Sequence, residues 1–266
     1  MSKIDDRAIV GKKANIGEGV EVGPFTIIED DVTIGAGCRI APHAFICSGT
    51  TLGENVEVHM GAVIGNVPQD LGFDRNKKTY TRIGNGTVIR EYATIHRSTV
   101  EGGATTVGEG SYLMAMSHVG HDCAIGNHVI LANGALLAGH VSVGDYTFVS
   151  GNVVVHQFCR IGTVAMIGGF TGINKDVPPY MLVRGPSVVR GVNLVGLRRL
   201  KFSREIIGGI REAYKLIFMS NLNTAQAIEG IRKLKPAKEL DHLVEFIQDS
   251  KRGICKYKYS DDEYFE

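Results

Sequence analysis

Residues 107–142 read, in blocks of six, VGEGSY LMAMSH VGHDCA IGNHVI LANGAL LAGHVS. Each block opens on an aliphatic residue and carries a small or β-branched residue four places later, and the pattern holds through Pro178. An α-helix repeats about every 3.6 residues, so it cannot keep a strict period of six over this length. A coiled backbone with two inward side chains per block can. The stretch therefore predicts a solenoid, whose repeats bury their apolar faces only against their neighbours.

The same period begins near the N-terminus, at Val10, and continues with interruptions into the stretch above. Residues 66–82, NVPQDLGFDRNKKTYTR, break the register and are predicted to leave the coil as a loop. Residues 101–106, EGGATT, are predicted to form a second, shorter excursion, or else a degenerate block. With three blocks to each turn of a triangular coil, the regular blocks predict about eight coils and a prism roughly 40 Å tall.

The end of the repeat divides the chain. It stops at DVPP, residues 176–179, so residues 1–179 are predicted to form a β-helix domain. Glycine and proline recur over residues 180–196, which are predicted to be a connector. Residues 190–266 are predicted to form a C-terminal helical domain. Its last residues, KYKYSDDEYFE, show no periodic pattern and are predicted to be a loose tail.

Three amphipathic helices are predicted in the C-terminal domain. Ser203 suits the N-cap of the first, because a serine oxygen accepts a hydrogen bond from a free amide of the first turn. This helix would bury a stripe made of Ile206, Ile207, Ile210, Ala213, Tyr214, Ile217 and Phe218. Thr224 is the predicted cap of the second helix. The third follows Pro236 and would bury Leu240, Leu243, Val244 and Ile247.

The bulk composition bounds the class of protein. The chain has 266 residues and a formal net charge of +1, so a global attraction to nucleic acid or to a membrane surface is not indicated. No apolar stretch is long enough to span a bilayer, and the first residues lack the apolar core of a signal peptide. Cys38, Cys123 and Cys159 fall in the second inward column and are expected to be small core residues. The sequence therefore predicts a cytoplasmic protein without a disulfide framework.

The period also predicts which side chains are neighbours. One coil consists of three blocks of six, so each residue lies beneath the residue eighteen places later. His121 then lies beneath Gly139, and Asp122 beneath His140. The same rule gathers, on neighbouring columns of one wall or corner, the residues His118, His121, Asp122, His140, His156 and Gln157. An imidazole suits a general base and an adjacent carboxylate can orient it, while Gly139 can offer its bare backbone N–H to an oxyanion.

Other interpretations of this cluster are open. Outward positions of a repeat tolerate polar residues, so these can be solvated surface histidines. Three histidines on adjacent coils can bind zinc, which would suit a lyase of the carbonic-anhydrase kind. The coil can also be a non-catalytic scaffold. Near the first helix, a basic cluster is either a solvated helix face or a patch for phosphates or an acidic protein; it consists of Arg198, Arg199, Lys201, Arg204, Arg211 and Lys215.

Five segments together resemble a known family; they are SHVGHDC (117–123), LAGHVSVG (137–144), VHQFC (155–159), DVPPY (176–180) and GVNLVGLRRLKFSRE (191–205). Over nearly its whole length the chain is similar to the UDP-N-acetylglucosamine 3-O-acyltransferases, the first enzymes of lipid A biosynthesis. Many acetyltransferases share the hexapeptide repeat, whereas the combination of HDC, AGH, HQFC and DVPPY is specific. The resemblance implies a left-handed parallel β-helix, an exception to the right-handed crossover rule, and a homotrimer with active sites between subunits.

The resemblance also implies the mechanism. His121 would be the general base that takes a proton from the sugar 3-hydroxyl, while that oxygen attacks the thioester of a 3-hydroxyacyl-acyl carrier protein. Asp122 would orient and support the imidazolium, and the Gly139 N–H would stabilise the oxyanion. Acyl carrier protein is the implied partner and donor, and it would meet the basic cluster. No covalent acyl-enzyme, metal or further cofactor is implied.

Substrate contacts are carried over in the same way. Gln69 and Asp70 would hold the glucosamine, and Asn193 and Arg199 would bind the uridine and phosphates. The sugar or the acyl chain would contact a further set, namely His118, His140, His156, Gln157 and Gly169. The last belongs to a column whose members are one coil apart, Asn133–Gly151–Gly169, where two glycines leave a groove open for an acyl chain of intermediate or greater length.

The chain departs from the family pattern at two positions. Val195 stands where the family commonly has Glu, and Leu200 stands where its basic run often continues. Both lie among the implied nucleotide contacts. Some relatives acylate a 3-amino sugar and form an amide, so an N-acyltransferase acting on the 3-amino analogue of the sugar nucleotide remains the alternative function.

Overall fold

The computed structural model describes residues 1–257. Its repeat consists of short parallel strands, which are, in chain order, Lys3–Ile4 (β1), Ile9–Val10 (β2), Asn15–Ile16 (β3), Glu21–Val22 (β4), Ile27–Ile28 (β5), Thr33–Ile34 (β6), Arg39–Ile40 (β7), Phe45–Ile46 (β8), Thr50–Leu52 (β9), Glu57–Val58 (β10), Val63–Asn66 (β11), Tyr80–Ile83 (β12), Val88–Ile89 (β13), Thr94–His96 (β14), Ala104–Val107 (β15), Tyr112–Leu113 (β16), His118–Val119 (β17), Ala124–Ile125 (β18), Ile130–Leu131 (β19), Leu136–Leu137 (β20), Ser142–Val143 (β21), Phe148–Val149 (β22), Val154–Val155 (β23), Arg160–Ile161 (β24), Met166–Ile167 (β25) and Gly172–Ile173 (β26).

Every third strand joins the same sheet, so the coil has three walls. The first wall begins β1-β4-β7, the second runs from β2 to β26, and the third from β3 to β24. The described residues form eight complete coils and two strands of a ninth, in agreement with the prediction of about eight. Paired residues in the upper coils are separated by three blocks of six, as in Leu136 with Val154.

Side chains alternate because the backbone is pleated. In β17, Val119 is fully buried and points into the prism, while His118 points outward. The inward columns form one continuous core along the axis. Cys38, Cys123 and Cys159 lie in it with at most 1% of their surface exposed, as predicted, and burial raises the pKa of the Cys123 thiol to about 12.

Each block turns a corner, and many blocks have a glycine there because a side chain would be crowded. A Cβ on Gly17 would lie 2.7 Å from the Ala36 nitrogen of the next coil. Positive φ falls two residues later, at Gly19 with φ +69°. Most blocks place a non-glycine residue at that later position, and Asp122, with φ +60°, is one of them.

Both excursions differ from the sequence prediction of residues 66–82 and 101–106: the first is shorter, and the second begins and ends earlier in the chain. The first ends at residue 79, because Thr81 of β12 is buried and pairs with Thr50 and Thr105. The second prediction was wrong in position: residues 104–106 belong to β15, and the excursion consists of residues 97–103, between β14 and β15. The lap through this region is therefore lengthened by one block of six, as shown by the pairing of Thr94 with His118.

The predicted connector, residues 180–196, is instead mostly a β-hairpin. Met181–Arg184 (β27) pairs in parallel with β25, which extends the first wall, and antiparallel with Val188–Val192 (β28). Lys256–Tyr257 (β29) pairs with β28, so the start of the predicted tail is ordered. The rest of that tail, residues 258–266, lies outside the described residues.

Four helices follow the hairpin: Leu194–Arg199 (α1), Arg204–Phe218 (α2), Thr224–Arg232 (α3) and Lys238–Gln248 (α4). The short α1 was not predicted. Ser203 caps α2 as predicted, with its oxygen accepting from the Ile206 N–H at 3.2 Å. The cap of α3 is Asn223, one residue before the predicted Thr224. Among residues 1–257, every helix is too short or too polar to cross a bilayer.

Candidate active site

His121 and Asp122 form a hydrogen-bonded pair at a corner of the coil. β17 ends at Val119, and the pair lies in the turn that follows. His121 Nδ1 is 2.8 Å from Asp122 Oδ2, and the two side chains are only 14% and 9% exposed. An ionised carboxylate only accepts hydrogen bonds, so Nδ1 carries the proton and Nε2 is left free to accept one.

The Asp122 carboxylate is held by residues 98 and 99 from the second excursion. The hydroxyl of Ser98 donates to Oδ1, the hydroxyl of Thr99 donates to Oδ2 at 2.6 Å, and the Thr99 N–H donates to Oδ1 at 3.1 Å. Burial acts to raise the pKa of Asp122, but hydrogen bonds from Ser98, Thr99 and His121 outweigh it and lower the pKa to about 2. Asp122 is therefore ionised at neutral pH.

Gly139 lies directly above the His121 ring, one coil later, where the period predicts it. A Cβ on Gly139 would be 2.5 Å from His121 Nε2. Across residues 1–257, the Gly139 N–H finds no hydrogen-bond acceptor. A bare amide above an imidazole whose Nε2 is free gives the two groups that acyl transfer needs: a proton acceptor and an oxyanion donor.

His140 forms the side of the same site. Its ring lies edge-on to His121, with ring centroids 5.1 Å apart, and stacks on Phe158 at 4.5 Å. His140 Nε2 is 3.5 Å from Asp122 Oδ2. Ligand atoms of His121, Asp122 and His140 lie within 4.8 Å of one another, so the zinc alternative has a geometric basis. Nδ1 of His121 and both Asp122 oxygens are already engaged in hydrogen bonds, which favours the histidine–carboxylate pair.

His118 and His96 extend the cluster along the outer face of the second wall. The rings of the two histidines meet edge to face, 5.0 Å between centroids, and His118 Nδ1 is 2.7 Å from the Thr94 hydroxyl. Burial, with smaller contributions from His118 and His121, lowers the pKa of His96 to about 4. Burial also lowers the pKa of His118. Both rings are neutral at pH 7, so His121 has uncharged neighbours there.

Two of the predicted contacts lie at the same corner as Gly139 and His140, one coil above them, as the period predicts. His156 Nδ1 is 3.0 Å from the Gln157 carbonyl, and both residues are exposed. Gly169 lies over Gly151, with its Cβ position 3.4 Å from the Gly151 oxygen, and Gly151 lies in the same way over Asn133. The predicted glycine column is therefore present.

The remaining predicted contacts lie on other elements. Gln69 and Asp70 are exposed on the first excursion, where Asp70 accepts from the Gly72 N–H at 2.8 Å. Asn193 caps α1 through its side-chain oxygen and donates to the Val164 carbonyl at 2.8 Å. Arg199 is exposed at the end of α1. In the described chain, none of the four hydrogen-bonds to the His121–Asp122 pair.

Sequence reasoning missed Ser98 and Thr99. A regular coil would put residue 104, an alanine, beneath Asp122. This lap contains an extra block of six, so it is Ser98 that lies beneath Asp122. Placing the inserted residues before Ala104 would have identified the serine.

A hexapeptide coil that carries a histidine–carboxylate pair beneath a bare backbone amide defines a bacterial-type acyltransferase. The family model described as bacterial transferase hexapeptide matches residues 13–48, 31–66 and 104–139. The model described as UDP-N-acetylglucosamine O-acyltransferase, domain 2, matches residues 176–255. The chain belongs to the acyl-[acyl-carrier-protein]–UDP-N-acetylglucosamine O-acyltransferase family.

Relatives match over nearly their whole length. The O-acyltransferases of that name from Thermodesulfovibrio yellowstonii and Halorhodospira halophila are 46% and 44% identical, covering 96% of this chain and 100% of theirs. Among solved structures, LpxA from Acinetobacter baumannii is 42% identical with a TM-score of 0.91, covering 94% of this chain and 98% of that one. UDP-N-acetylglucosamine acyltransferase from Francisella novicida is 37% identical with a TM-score of 0.93, covering 96% and 95%.

These likenesses settle the fold. The chain is a left-handed parallel β-helix with a C-terminal helical part, as predicted. The names of the relatives favour ester formation on UDP-N-acetylglucosamine, and they give no support to the alternative N-acyltransferase.

Proposed function

We propose that this protein transfers a 3-hydroxyacyl chain from acyl carrier protein to the 3-hydroxyl of UDP-N-acetylglucosamine, the first step of lipid A biosynthesis. The names of full-length relatives support the reaction. One observation supports its chemistry here: His121 donates from Nδ1 to Asp122 and lies under the Gly139 backbone. The reaction joins cytoplasmic metabolites, so we propose that the protein works in the cytoplasm.

In the proposed mechanism, His121 Nε2 removes the proton of the sugar 3-hydroxyl as its oxygen attacks the thioester carbonyl. The Gly139 N–H donates to the tetrahedral oxyanion. As the intermediate collapses, the C–S bond breaks and the imidazolium returns the proton to the departing thiolate. Asp122, with a pKa of about 2, stays ionised and supports the imidazolium. The cysteines are buried and stay out of the reaction.

The substrate contacts are part of the proposal. Gln69 and Asp70 hold the glucosamine, and Asn193 and Arg199 meet the nucleotide. The groove for the sugar and the acyl chain is lined by His118, His140, His156, Gln157 and Gly169. The exposure of Gln69, Asp70 and Arg199, away from the His121–Asp122 pair, is compatible with contacts made across a subunit interface. A reaction between two bound substrates needs no further cofactor or metal.

A homotrimer with active sites between subunits is supported by the outer face of the second wall. Its outward column begins Ile9, Ile27, Phe45 and Val63, continues through Thr94 and His118, and ends with Leu136, Val154 and Gly172. Ile9 and Val154 are 65% and 50% exposed. An exposed strip that is mostly apolar is typical of a subunit interface. His118 lies within the strip, so a second copy docked there would border the His121 site.

The basic cluster of Arg198, Arg199, Lys201, Arg204, Arg211 and Lys215 is exposed throughout. Within residues 1–257, Lys215 is its one member with an ion pair, to Glu212 at 2.7 Å. Exposed positive charge without internal partners favours an acidic protein, and acyl carrier protein is such a protein. We propose that the carrier docks on this cluster.

The function is tested with purified protein, 3-hydroxyacyl carrier proteins of several lengths, and the hydroxyl or 3-amino sugar nucleotide, each with and without a chelator. Products are identified by mass spectrometry. We expect an ester on UDP-N-acetylglucosamine at a rate that the chelator leaves unchanged. Amide formation alone would overturn the assignment, and loss of activity on chelation that zinc restores would support the metal alternative.

A further inference from the structure

The second excursion, residues 97–103, lies against the candidate active site. It lengthens this lap by one block of six, so β14 and β17 pair with Thr94 opposite His118. Ser98 then lies beneath Asp122 with 1% of its surface exposed. Its oxygen accepts from the Val100 N–H at 3.0 Å, which directs its own hydrogen toward Asp122.

Together, Ser98 and Thr99 donate hydrogen bonds to both oxygens of the Asp122 carboxylate, on the side away from His121. Oδ1 accepts from the Ser98 hydroxyl and from the Thr99 N–H at 3.1 Å, and Oδ2 accepts from the Thr99 hydroxyl at 2.6 Å. Oδ2 also lies 2.8 Å from His121 Nδ1, 3.2 Å from the Thr99 nitrogen and 3.5 Å from His140 Nε2. On its backbone side, the Asp122 N–H donates to the Thr105 hydroxyl at 2.8 Å.

We propose that Ser98 and Thr99 are positioning residues, which fix the orientation of the Asp122 carboxylate and thereby set the tautomer and the basicity of His121. The inference rests on the proposed function, in which His121 is the general base. Neither residue contacts the reacting atoms, and both act only through Asp122. The second excursion is on this account a part of the catalytic apparatus.

The sign of the effect on pH dependence follows from how the carboxylate charge is shared. The hydroxyl donors share the negative charge of the Asp122 carboxylate, so they weaken its attraction for protonated His121. With one donor removed, Asp122 interacts more strongly with protonated His121, so the acid limb of kcat/KM moves to higher pH. The carboxylate also gains freedom to rotate, so kcat falls. The other titratable groups facing His121 are His140, His118 and His96, and they are the same in every variant.

The test compares Ser98→Ala, Thr99→Val and the double variant with the unmodified protein, by the pH profiles of kcat and kcat/KM. Thr99→Ser keeps the hydroxyl and the amide and serves as the conservative rescue. Ser111→Ala is the matched control, because Ser111 is also 1% exposed and hydrogen-bonded within the coil, to the Gly126 carbonyl, away from Asp122. Thermal unfolding of each variant measures the structural cost.

We expect kcat to fall about tenfold or more in Ser98→Ala and Thr99→Val, with KM for both substrates nearly unchanged. The acid limb should move upward in both, and Thr99→Ser and Ser111→Ala should keep the original profile. Reduced thermal stability with an unmoved acid limb and normal kcat would overturn the inference. His121→Ala, assayed in parallel, separates the cases: if it is inactive, a neutral result for Ser98 and Thr99 refutes the positioning role alone, and if it is active, the proposed function itself has failed.

Discussion

At the scale of the residue, the site depends on the close approach of Gly139 to the His121 ring, which the period of the sequence predicts. Gly139 follows His121 by one regular lap of the coil, and the structure leaves no room for a Cβ between them. Gly139 lies outside the left-handed region of φ, so the requirement for glycine there is steric. Not every glycine carries this constraint: no atom lies within 4 Å of the Cβ position of Gly208, on α2.

Gly139→Ala should therefore lower kcat by about 100-fold, because the new methyl displaces the imidazole by a large fraction of an ångström. The coil should stay folded, since only a side chain has to move. Steady-state kinetics and circular dichroism check both points, with Gly208→Ala as the control. Normal kcat in Gly139→Ala would show that the close approach of residue 139 to the His121 ring is not needed for catalysis.

A second prediction concerns the carboxylate. The pKa of Asp122 is lowered from 3.8 to about 2, so its ionised form favours the folded state by about 2 kcal/mol above pH 4. This stability is lost as the pH falls through about 2. Urea unfolding should show Asp122→Asn less stable than the unmodified protein at pH 7, with the difference narrowing as the pH is lowered from about 4. A difference that stays constant down to pH 3 would contradict the lowered pKa.

One physical feature, the length of each lap of the coil, explains which site residues could be predicted from the sequence and which could not. A lap of fixed length places every pair that lies on regular coils, including His121 with Gly139 and the glycine column. It fails where the lap changes length, and that is where Ser98 and Thr99 lie. Their contacts depend on the exact position of the inserted block, which glycine and polar residues on both sides leave ambiguous in the sequence.

At the scale of the element, aliphatic periodicity predicted the walls but not their ends. β12 and β15 carry threonine at inward positions, where Thr81 and Thr105 are buried. Because threonine is not aliphatic, the sequence pattern predicted loops at these two strands. The hairpin of β27 and β28 was missed because its glycine and proline resemble a connector. It forms because Met181, Val183 and Val189 bury against the top of the prism.

The glycine column on these elements predicts the acyl length. Gly169 is exposed and its Cβ position has only ordinary contacts, so Gly169→Met can be accommodated and will fill the groove. Competition assays with carrier proteins of several acyl lengths should show a shift toward shorter chains, with the originally preferred donor used about tenfold less well. Gly208→Met is the control, because no atom lies within 4 Å of the Cβ position of Gly208, on α2. An unchanged preference in Gly169→Met would place the acyl chain elsewhere.

At the scale of the whole molecule, the proposed active site between subunits requires more than one copy of the chain. Val154 is 50% exposed on the apolar second wall, so Val154→Asp should fold as a single chain and oppose association, since a buried unpaired charge is costly. Light scattering should give a trimer mass for the unmodified protein and a lower mass with lost activity for Val154→Asp. Thr51→Asp, on the exposed face of the third wall, should remain trimeric. A fully active monomer would refute the shared site.

The claim on which the rest depends is that the imidazole of residue 121 accepts the proton of the attacking hydroxyl. The most direct measurement is kcat for ester formation by His121→Ala, made on protein whose mass and circular dichroism match those of the unmodified enzyme. The account predicts turnover reduced by at least about 100-fold in an intact assembly. A rate within a few-fold of the original would show that another group is the base.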